Sequence, residues 1–236
     1  MKFRWRSLAA ITGILVVSVA VKAAHPWRFL QHYLTPSLTV TQAALWRYQE
    51  EATKQAALSR QSNSEITLLG DSLIASFPAS QVPPGAANFG IAGDTIDGLL
   101  LRLPSYRLSN TNMIIVEIGI NNWAKDGFAD FGGKYRHLLA MLPSAASIVA
   151  TSLPPTSEES SRYYFDFQAP RTAIATANRE IRGACEEAPN CRFLDLLTAL
   201  SDNDSNLQTQ YDRGDGVHLS PAAYAVWAKM LFRRDL

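Results

Sequence analysis

Residues 66–72 read ITLLGDS, a short apolar run that ends in a glycine, an aspartate and a serine. A continuous apolar run of this length, closed by turn-forming residues, is typical of a strand buried on both faces of a parallel sheet. Residues 113–116 and 148–150 repeat the pattern, and 87–89 and 192–194 are weaker candidates. These segments predict a mostly parallel sheet of about five strands.

Segments with the apolar spacing of helices lie between these strands, at about 98–101, 131–142, 170–185 and 221–232. Strands that alternate with helices form right-handed βαβ units, so the sequence predicts an α/β domain with three layers, α/β/α. In such a sheet ligands bind at the carboxyl ends of the strands. We therefore expect the residues that directly follow the strands to form the functional site.

The chain has 236 residues and a hydrophobic content of 47%, which suits one domain with a full-sized core. We assign this domain to residues 63–236 and interpret 25–62 as a connector that includes an amphipathic helix at 40–59. Lys and Arg number 22 against 21 Asp and Glu, and no basic block interleaved with aromatics follows the first few residues. Nucleic acid is therefore not an expected partner.

Residues 1–24 have the outline of an export signal. Lys2, Arg4 and Arg6 precede the uncharged apolar run 8–21, and two small residues follow. The run is shorter than a comfortable bilayer span, but residues 8–24 leave a short uncleaved membrane anchor as an alternative to cleavage. In both interpretations the basic flank stays in the cytoplasm and the domain lies in the periplasm or outside the cell. A buried hydrophobic helix is the third alternative.

The two cysteines, Cys185 and Cys191, flank a stretch in which Pro189 and Asn190 favour a turn. Such a turn leaves two alternatives open, a disulfide formed in an oxidising compartment or two independent thiols. Metal ligation is not expected there, because no histidine or second cysteine pair lies nearby in the sequence.

A serine and a histidine far apart in the chain form a candidate nucleophile and base. Ser72 follows directly on the first predicted strand, and a serine hydroxyl needs a base within hydrogen-bond reach. Of the four histidines, only His218 lies in a predicted loop with a carboxylate, Asp215, at a suitable spacing. Asp215 would fix the imidazole tautomer that accepts the serine proton. The alternative is a surface turn before the last helix, with Ser220 as its N-cap.

The negative oxygen that forms during acyl transfer needs hydrogen-bond donors. The candidates are the backbone N–H groups of Ser72 and Gly93, the latter in the loop 90–94, and the side-chain amide of Asn121. The alternatives are a tight loop at Gly93 and a turn residue at Asn121 that satisfies its own backbone. For Asp71 we expect a structural role, in which its carboxylate holds the loop by hydrogen bonds.

Four stretches resemble blocks I, II, III and V of the GDSL family, in the right order: GDSL at 70–73, GIAGDT at 90–95, GINN at 119–122 and DGVH at 215–218. Together they resemble the SGNH hydrolases, a family of esterases and lipases, over roughly residues 66–232.

This resemblance implies a flavodoxin-like fold with Ser72 as nucleophile, His218 as base and Asp215 as the partner that orients the base. It also implies that the oxyanion donors are the N–H groups of Ser72 and Gly93 and the side chain of Asn121.

The sequence departs from the GDSL pattern in two places. Asn122 stands where block III commonly has aspartate, and residues 74–75 are apolar where a polar residue commonly follows the leucine of block I. Neither departure removes a catalytic atom. The motifs Gly-x-Ser-x-Gly, His-Glu-x-x-His, Gly-x-Gly-x-x-Gly and Walker A are absent from the sequence, and no cofactor or metal is expected.

We therefore expect a serine esterase that hydrolyses acyl or acetyl esters of small molecules or carbohydrates through an acyl-Ser72 intermediate. The alternatives are an O-acyltransferase or acetylesterase acting on envelope or secreted polysaccharide, and a glycan-binding module that has lost the chemistry. The aromatic residues within 153–168, and Trp123, either line the substrate site or pack on the core.

Overall fold

A computed structural model of the chain describes residues 37–157, 161 and 169–232. The expected export or anchor segment, 1–24, and the connector up to residue 36 lie outside this part, so export and anchoring stay predictions. Within the part that is described, no helix is both long and apolar enough to cross a membrane. Helix α1, Ser37–Gln61, covers the predicted amphipathic segment.

The sheet has five strands, all parallel, in the order β2-β1-β3-β4-β5. This is the flavodoxin-like order, and it confirms the predicted fold class. Each predicted run forms a strand, because burial on both faces selects a continuous apolar sequence. The strands are β1 Ile66–Gly70, β2 Ala87–Gly90, β3 Met113–Glu117, β4 Ser147–Thr151 and β5 Cys191–Leu194.

Helices fill the connections between the strands and cover both faces of the sheet. The predicted helices are present with bounds shifted by a few residues, whereas three short helices that begin just after strand ends were not predicted. The helices are α2 Ser72–Ala75, α3 Ile96–Arg102, α4 Ile120–Asp126, α5 Phe131–Met141, α6 Arg171–Glu186, α7 Leu196–Leu200 and α8 Pro221–Phe232.

Side chains that alternate along β1 build two separate hydrophobic layers. Leu69 belongs to the cluster that includes Tyr135 of α5 and Ile181 of α6. Leu68, its neighbour in sequence, belongs to the opposite cluster, which includes the fully buried Trp227 of α8. This alternation is the pleat of the strand, and it gives the three predicted layers.

The end of β1 lies unusually close to β3. The register pairs Gly70 with Glu117, and a Cβ atom added at residue 70 would lie 1.9 Å from the carbonyl oxygen of Glu117 and 2.5 Å from Cγ1 of Ile74. Only glycine fits this position, because the main chain fills the space that a side chain would need. The turn that carries Asp71 and Ser72 is thereby held against the end of the neighbouring strand.

The two cysteines form a disulfide, with their Cα atoms 5.2 Å apart. The bond joins the last turn of α6 to the first residue of β5, the edge strand of the sheet. Asn190, in the connecting turn, donates its side-chain amide to the carbonyl oxygen of Ala146 at 2.7 Å. Of the two alternatives that the sequence left open, the disulfide is the one present.

Candidate active site

The candidate residues lie where the connections from neighbouring strands diverge. β1 leads to β2 on one side and β3 lies on the other, so the carboxyl ends of β1 and β3 flank the switch point at which ligands bind in this class of sheet. Ser72 begins α2 directly after β1, and Asn121 lies in the first turn of α4 directly after β3.

Three of the predicted residues form a chain of two hydrogen bonds. Ser72 Oγ lies 3.1 Å from Nε2 of His218. On the other side of the imidazole, Nδ1 lies 2.8 Å from Oδ2 of Asp215. The side chains of His218 and Asp215 are 23% and 22% exposed. The three hydrogen-bonded side chains are therefore shielded but can still be reached from solvent.

The loop that carries Asp215 and His218 is shaped by carboxylate groups. Oδ1 of Asp212 accepts hydrogen bonds from the N–H groups of Gly214, Asp215 and Gly216, at 2.7, 3.1 and 2.9 Å. Oδ1 of Asp215 accepts from the N–H groups of residues 217 and 218. Sequence reasoning missed Asp212, although an aspartate two residues before a glycine is a signal for such a turn.

Hydrogen bonding keeps Asp215 ionised. Burial acts to raise its pKa, but hydrogen bonds from the backbone N–H groups of His218 and Val217 and from the imidazole outweigh burial, so the pKa lies below the ordinary value. A carboxylate bonded to Nδ1 leaves Nε2 as the nitrogen that accepts a proton.

The three candidate oxyanion donors surround the same strand ends. Asn121 Nδ2 donates to the carbonyl oxygen of Asp94 at 2.8 Å, which ties α4 to the loop after β2 and leaves the amide a second N–H. Gly93 has a φ of +78°, a backbone conformation that glycine adopts without strain. The N–H of Ser72 belongs to the first turn of α2, where backbone N–H groups have no partner within the helix.

Comparison with known proteins identifies the family of this chain. The model of the GDSL-like Lipase/Acylhydrolase family matches residues 53–226, which is most of the chain. The chain belongs to this family. As a GDSL-like protein it is an enzyme that hydrolyses ester bonds.

One named relative and two solved structures are similar to this GDSL-like chain. Platelet-activating factor acetylhydrolase IB subunit alpha2 from Gallus gallus is 25% identical over 177 residues, or 71% of this chain and 74% of the relative. A solved structure from Streptococcus pneumonia named after platelet activating factor has a TM-score of 0.71 and 22% identity, and covers 84% of this chain and 98% of its own. A GDSL-like lipase from Bacteroides thetaiotaomicron VPI-5482 has a TM-score of 0.62 and 19% identity, with 78% and 94% covered. These two structures share the fold.

The departure from the GDSL pattern at Asn122 has a local explanation. Its Oδ1 accepts from the N–H of Ile96 at 2.9 Å, and its Nδ2 donates to Oδ2 of Asp97 at 3.2 Å. Burial acts to raise the pKa of Asp97, but hydrogen bonds and charge from Lys125 and Lys134 lower it overall. An aspartate at 122 would lack the donor that the amide gives to this carboxylate.

A pair of buried carboxyl groups, Asp71 and Glu117, lies at the paired ends of β1 and β3. Oδ1 of Asp71 accepts from the N–H of Leu73 at 3.0 Å and caps α2, in line with its expected structural role. In the described residues, Oδ2 of Asp71 and both oxygens of Glu117 are buried without a hydrogen-bond partner. Burial raises the pKa of Asp71 to about 7, and burial together with the Asp71 charge raises the pKa of Glu117 well above its usual value. The sequence analysis missed Glu117, although a charged residue that closes an apolar run was a visible signal.

The aromatic candidates for the substrate site divide into two groups. Trp123 packs against Phe128 with ring centroids 5.5 Å apart, on the core beneath α4. The aromatic residues at 163–165 and 167 lie outside the described residues. Within 37–157, 161 and 169–232, no group of three or more His, Cys, Asp or Glu side chains is arranged to hold a metal ion.

Proposed function

We propose that the chain is a serine esterase in which Ser72 is the nucleophile, His218 the general base and Asp215 the residue that orients the base. The observation that carries this proposal is the pair of hydrogen bonds from Ser72 Oγ to Nε2 of His218 and from Nδ1 of His218 to Asp215. A serine hydroxyl is a weak nucleophile near neutral pH, and a neutral imidazole at this distance is the group that activates it.

In the proposed reaction, Ser72 Oγ attacks the carbonyl carbon of the ester while Nε2 of His218 takes the hydroxyl proton. The tetrahedral intermediate then expels the alcohol, which receives that proton from the imidazolium, and the acyl group stays on Ser72. Water, deprotonated by Nε2, attacks the acyl-enzyme and releases the carboxylic acid. Asp215 stays ionised throughout and stabilises the imidazolium.

The carbonyl oxygen becomes negative in both steps and needs donors that are already in place. We assign this role to the N–H groups of Ser72 and Gly93 and to the second N–H of the Asn121 amide. Because Asn121 is fixed by its bond to the Asp94 carbonyl oxygen, it needs no reorganisation during the reaction. Removal of one such donor typically lowers the rate by about 10²–10³.

Acetyl esters are the substrate class that we propose. The support is the Gallus gallus relative, which is named an acetylhydrolase. Water competes with other hydroxyl acceptors for an acetyl-serine, so product analysis with a soluble sugar in the assay separates hydrolysis from transfer.

We also propose that the domain works outside the cytoplasm. The disulfide between Cys185 and Cys191 supports this, because disulfides persist in oxidising compartments. The basic and apolar N-terminal segment is the signal that would carry the domain there.

The test compares Ser72→Ala with Ser80→Ala, an exposed serine in the turn after α2. With p-nitrophenyl acetate and a fluorophosphonate probe, Ser72→Ala is expected to lose turnover and labelling, while Ser80→Ala keeps both. Circular dichroism checks that both variants fold. Turnover in Ser72→Ala equal to that of the native chain would refute the proposed nucleophile.

A further inference from the structure

Arg102, the last residue of α3, is a buried cation that binds three separate segments. Its Nε donates to Oδ2 of Asp94 at 2.8 Å, its Nη1 to the carbonyl oxygen of Phe89 at 2.9 Å, and its Nη2 to the carbonyl oxygen of Gly70 at 3.1 Å. The side chains of Arg102 and Asp94 are 3% and 1% exposed. The guanidinium therefore lies between the ends of β1 and β2 and the loop that follows β2.

Each proposed oxyanion donor is close to a residue that Arg102 contacts. Two of the donors lie one or two positions away from such a residue in the sequence, and the third is hydrogen-bonded to one. Gly70 lies two residues before Ser72. Asp94 directly follows Gly93, and its carbonyl oxygen accepts the amide of Asn121. One guanidinium thus connects the segments that carry all three donors, although it contributes no donor to the substrate itself.

We infer that Arg102 is a positioning residue of the oxyanion hole, which sets the spacing of the Ser72, Gly93 and Asn121 donors. This inference rests on the proposed function, since it assumes that these three groups stabilise the oxyanion. Arg102 is distinct from the groups proposed to move protons, because none of the contacts described for its guanidinium is to Ser72, His218 or Asp215.

Arginine suits this position for a geometric reason. The planar guanidinium presents donors in several fixed directions, whereas lysine offers a compact ammonium group on a flexible stem. Two further acceptors hold the plane of the fork: Oε1 of Gln55 and the hydroxyl of Tyr106 also lie within hydrogen-bond distance of Nη1, so one of its two N–H groups is shared between acceptors. A lysine at 102 keeps the positive charge beside Asp94 but cannot reach the carbonyl oxygens of Phe89 and Gly70 at the same time.

The test compares an oxygen ester with its thiono analogue. In p-nitrophenyl thionoacetate the carbonyl oxygen is replaced by sulfur, a weak hydrogen-bond acceptor, so the substrate gains little from an oxyanion hole. We expect Arg102→Lys to lower kcat for p-nitrophenyl acetate by about tenfold to a hundredfold, a fraction of the loss for a deleted donor. KM should change less, and the rate ratio of oxygen ester to thiono ester should fall.

The matched control is Arg136→Lys, an exposed arginine on α5 that pairs with Glu187, for which we expect an unchanged ratio. A further arm places Arg102→Lys in the Asn121→Ala background. If Arg102 acts partly through Asn121, its effect there is smaller than in the native chain. Equal losses on both esters, with an unchanged ratio, would show that Arg102 only supports the fold and would overturn the inference.

If Arg102→Lys does not fold by circular dichroism, the test moves to Asp94→Asn. This variant is isosteric and weakens the anchor on Nε while the contacts to Gly70 and Phe89 stay. We expect a smaller fall in the same ratio, and an unchanged ratio would overturn the inference equally. Native turnover that does not depend on Ser72 would instead contradict the proposed function, so the two failures are distinguishable.

Discussion

Two aspartates of the candidate site occupy opposite environments. Asp71 adjoins Ser72 in sequence, is fully buried and has one oxygen without a hydrogen-bond partner among the described residues. Asp215 lies far along the chain, is partly exposed and accepts from two backbone N–H groups and an imidazole. Burial raises the pKa of Asp71 to about 7, whereas hydrogen bonding outweighs burial at Asp215 and lowers its pKa. The balance between burial and hydrogen-bond donors, rather than the distance to the nucleophile, decides which carboxylate stays charged.

The two pKa shifts give opposite effects of pH on stability. An aspartate with a lowered folded pKa, such as Asp215, stabilises the fold above its unfolded pKa of about 3.9, and this contribution is lost as the pH falls. Asp71 behaves in the opposite way. Its folded state binds the proton more tightly than the unfolded state, so stability falls as the pH rises from about 4 to about 7.

The largest expected effect is on the Asp215 side of the comparison. Asp215→Asn keeps the shape of the side chain but favours the imidazole tautomer that carries a proton on Nε2. This tautomer cannot accept the serine proton, and we expect kcat for p-nitrophenyl acetate to fall by about 10³–10⁴. Steady-state kinetics at pH 8 measures the loss.

Asp204→Asn, at an exposed loop position, is the control for Asp215→Asn and should retain native kcat. A loss of less than tenfold in a folded Asp215→Asn variant would show that the hydrogen bond to Nδ1 does not determine the tautomer.

The second prediction concerns the buried carboxyl pair. Asp71→Asn removes one of two buried acidic groups whose charges oppose each other, so the loss of stability with rising pH should become smaller. One pKa unit corresponds to about 1.4 kcal/mol, so Asp71 accounts for at most about 4 kcal/mol between pH 4 and pH 7. Urea unfolding at several pH values measures this. Slopes that match in the native chain and the variant would contradict the raised pKa.

The third prediction concerns a substitution that introduces a second buried carboxylate, in an environment like that of Asp71. Asn122→Asp places a buried acidic group beside Asp97, which now accepts from the Asn122 amide at 3.2 Å. Because like charges and a lost donor both oppose ionisation, we expect about 1–3 kcal/mol less stability at pH 8 and partial recovery near pH 5. Thermal melts at the two pH values test this, with Asn110→Asp, at an exposed loop position, as control. Full stability at pH 8 would show that the nearby lysines compensate the new charge.

The smallest expected effect is on the ion pair between Asp97 and Lys125 at the surface. Lys125 pairs with Asp97 at 2.9 Å, but its side chain is 51% exposed. Exposed pairs of this kind contribute about 0–1 kcal/mol and are screened by salt, so Lys125→Met should change stability by less than about 1 kcal/mol. The difference should shrink further in 0.5 M salt, and an increase with salt would contradict a screened surface pair.

The sheet and the Ser72–His218 pair were predictable from sequence because both leave local signals. Strands buried on two faces are continuous apolar runs, and only one histidine lies in a predicted loop beside an aspartate. The short helix α4 was not predicted, since its sequence, INNWAKD, has too few apolar residues to show the spacing of a helix. Arg102 was missed for another reason. Its partners lie on other segments, and no local pattern shows that a charged residue ends up buried among strand-end carbonyl oxygens.

The lack of a side chain at Gly70 bears on how a loss of activity is recognised in related enzymes. Its identity is dictated by two main chains in near contact, so any descendant that keeps those strands paired keeps that glycine, whether or not it still cleaves a substrate. The leading letter of the GDSL signature therefore reports architecture. Under the proposed function, retained catalysis has to be read from Ser72 and His218.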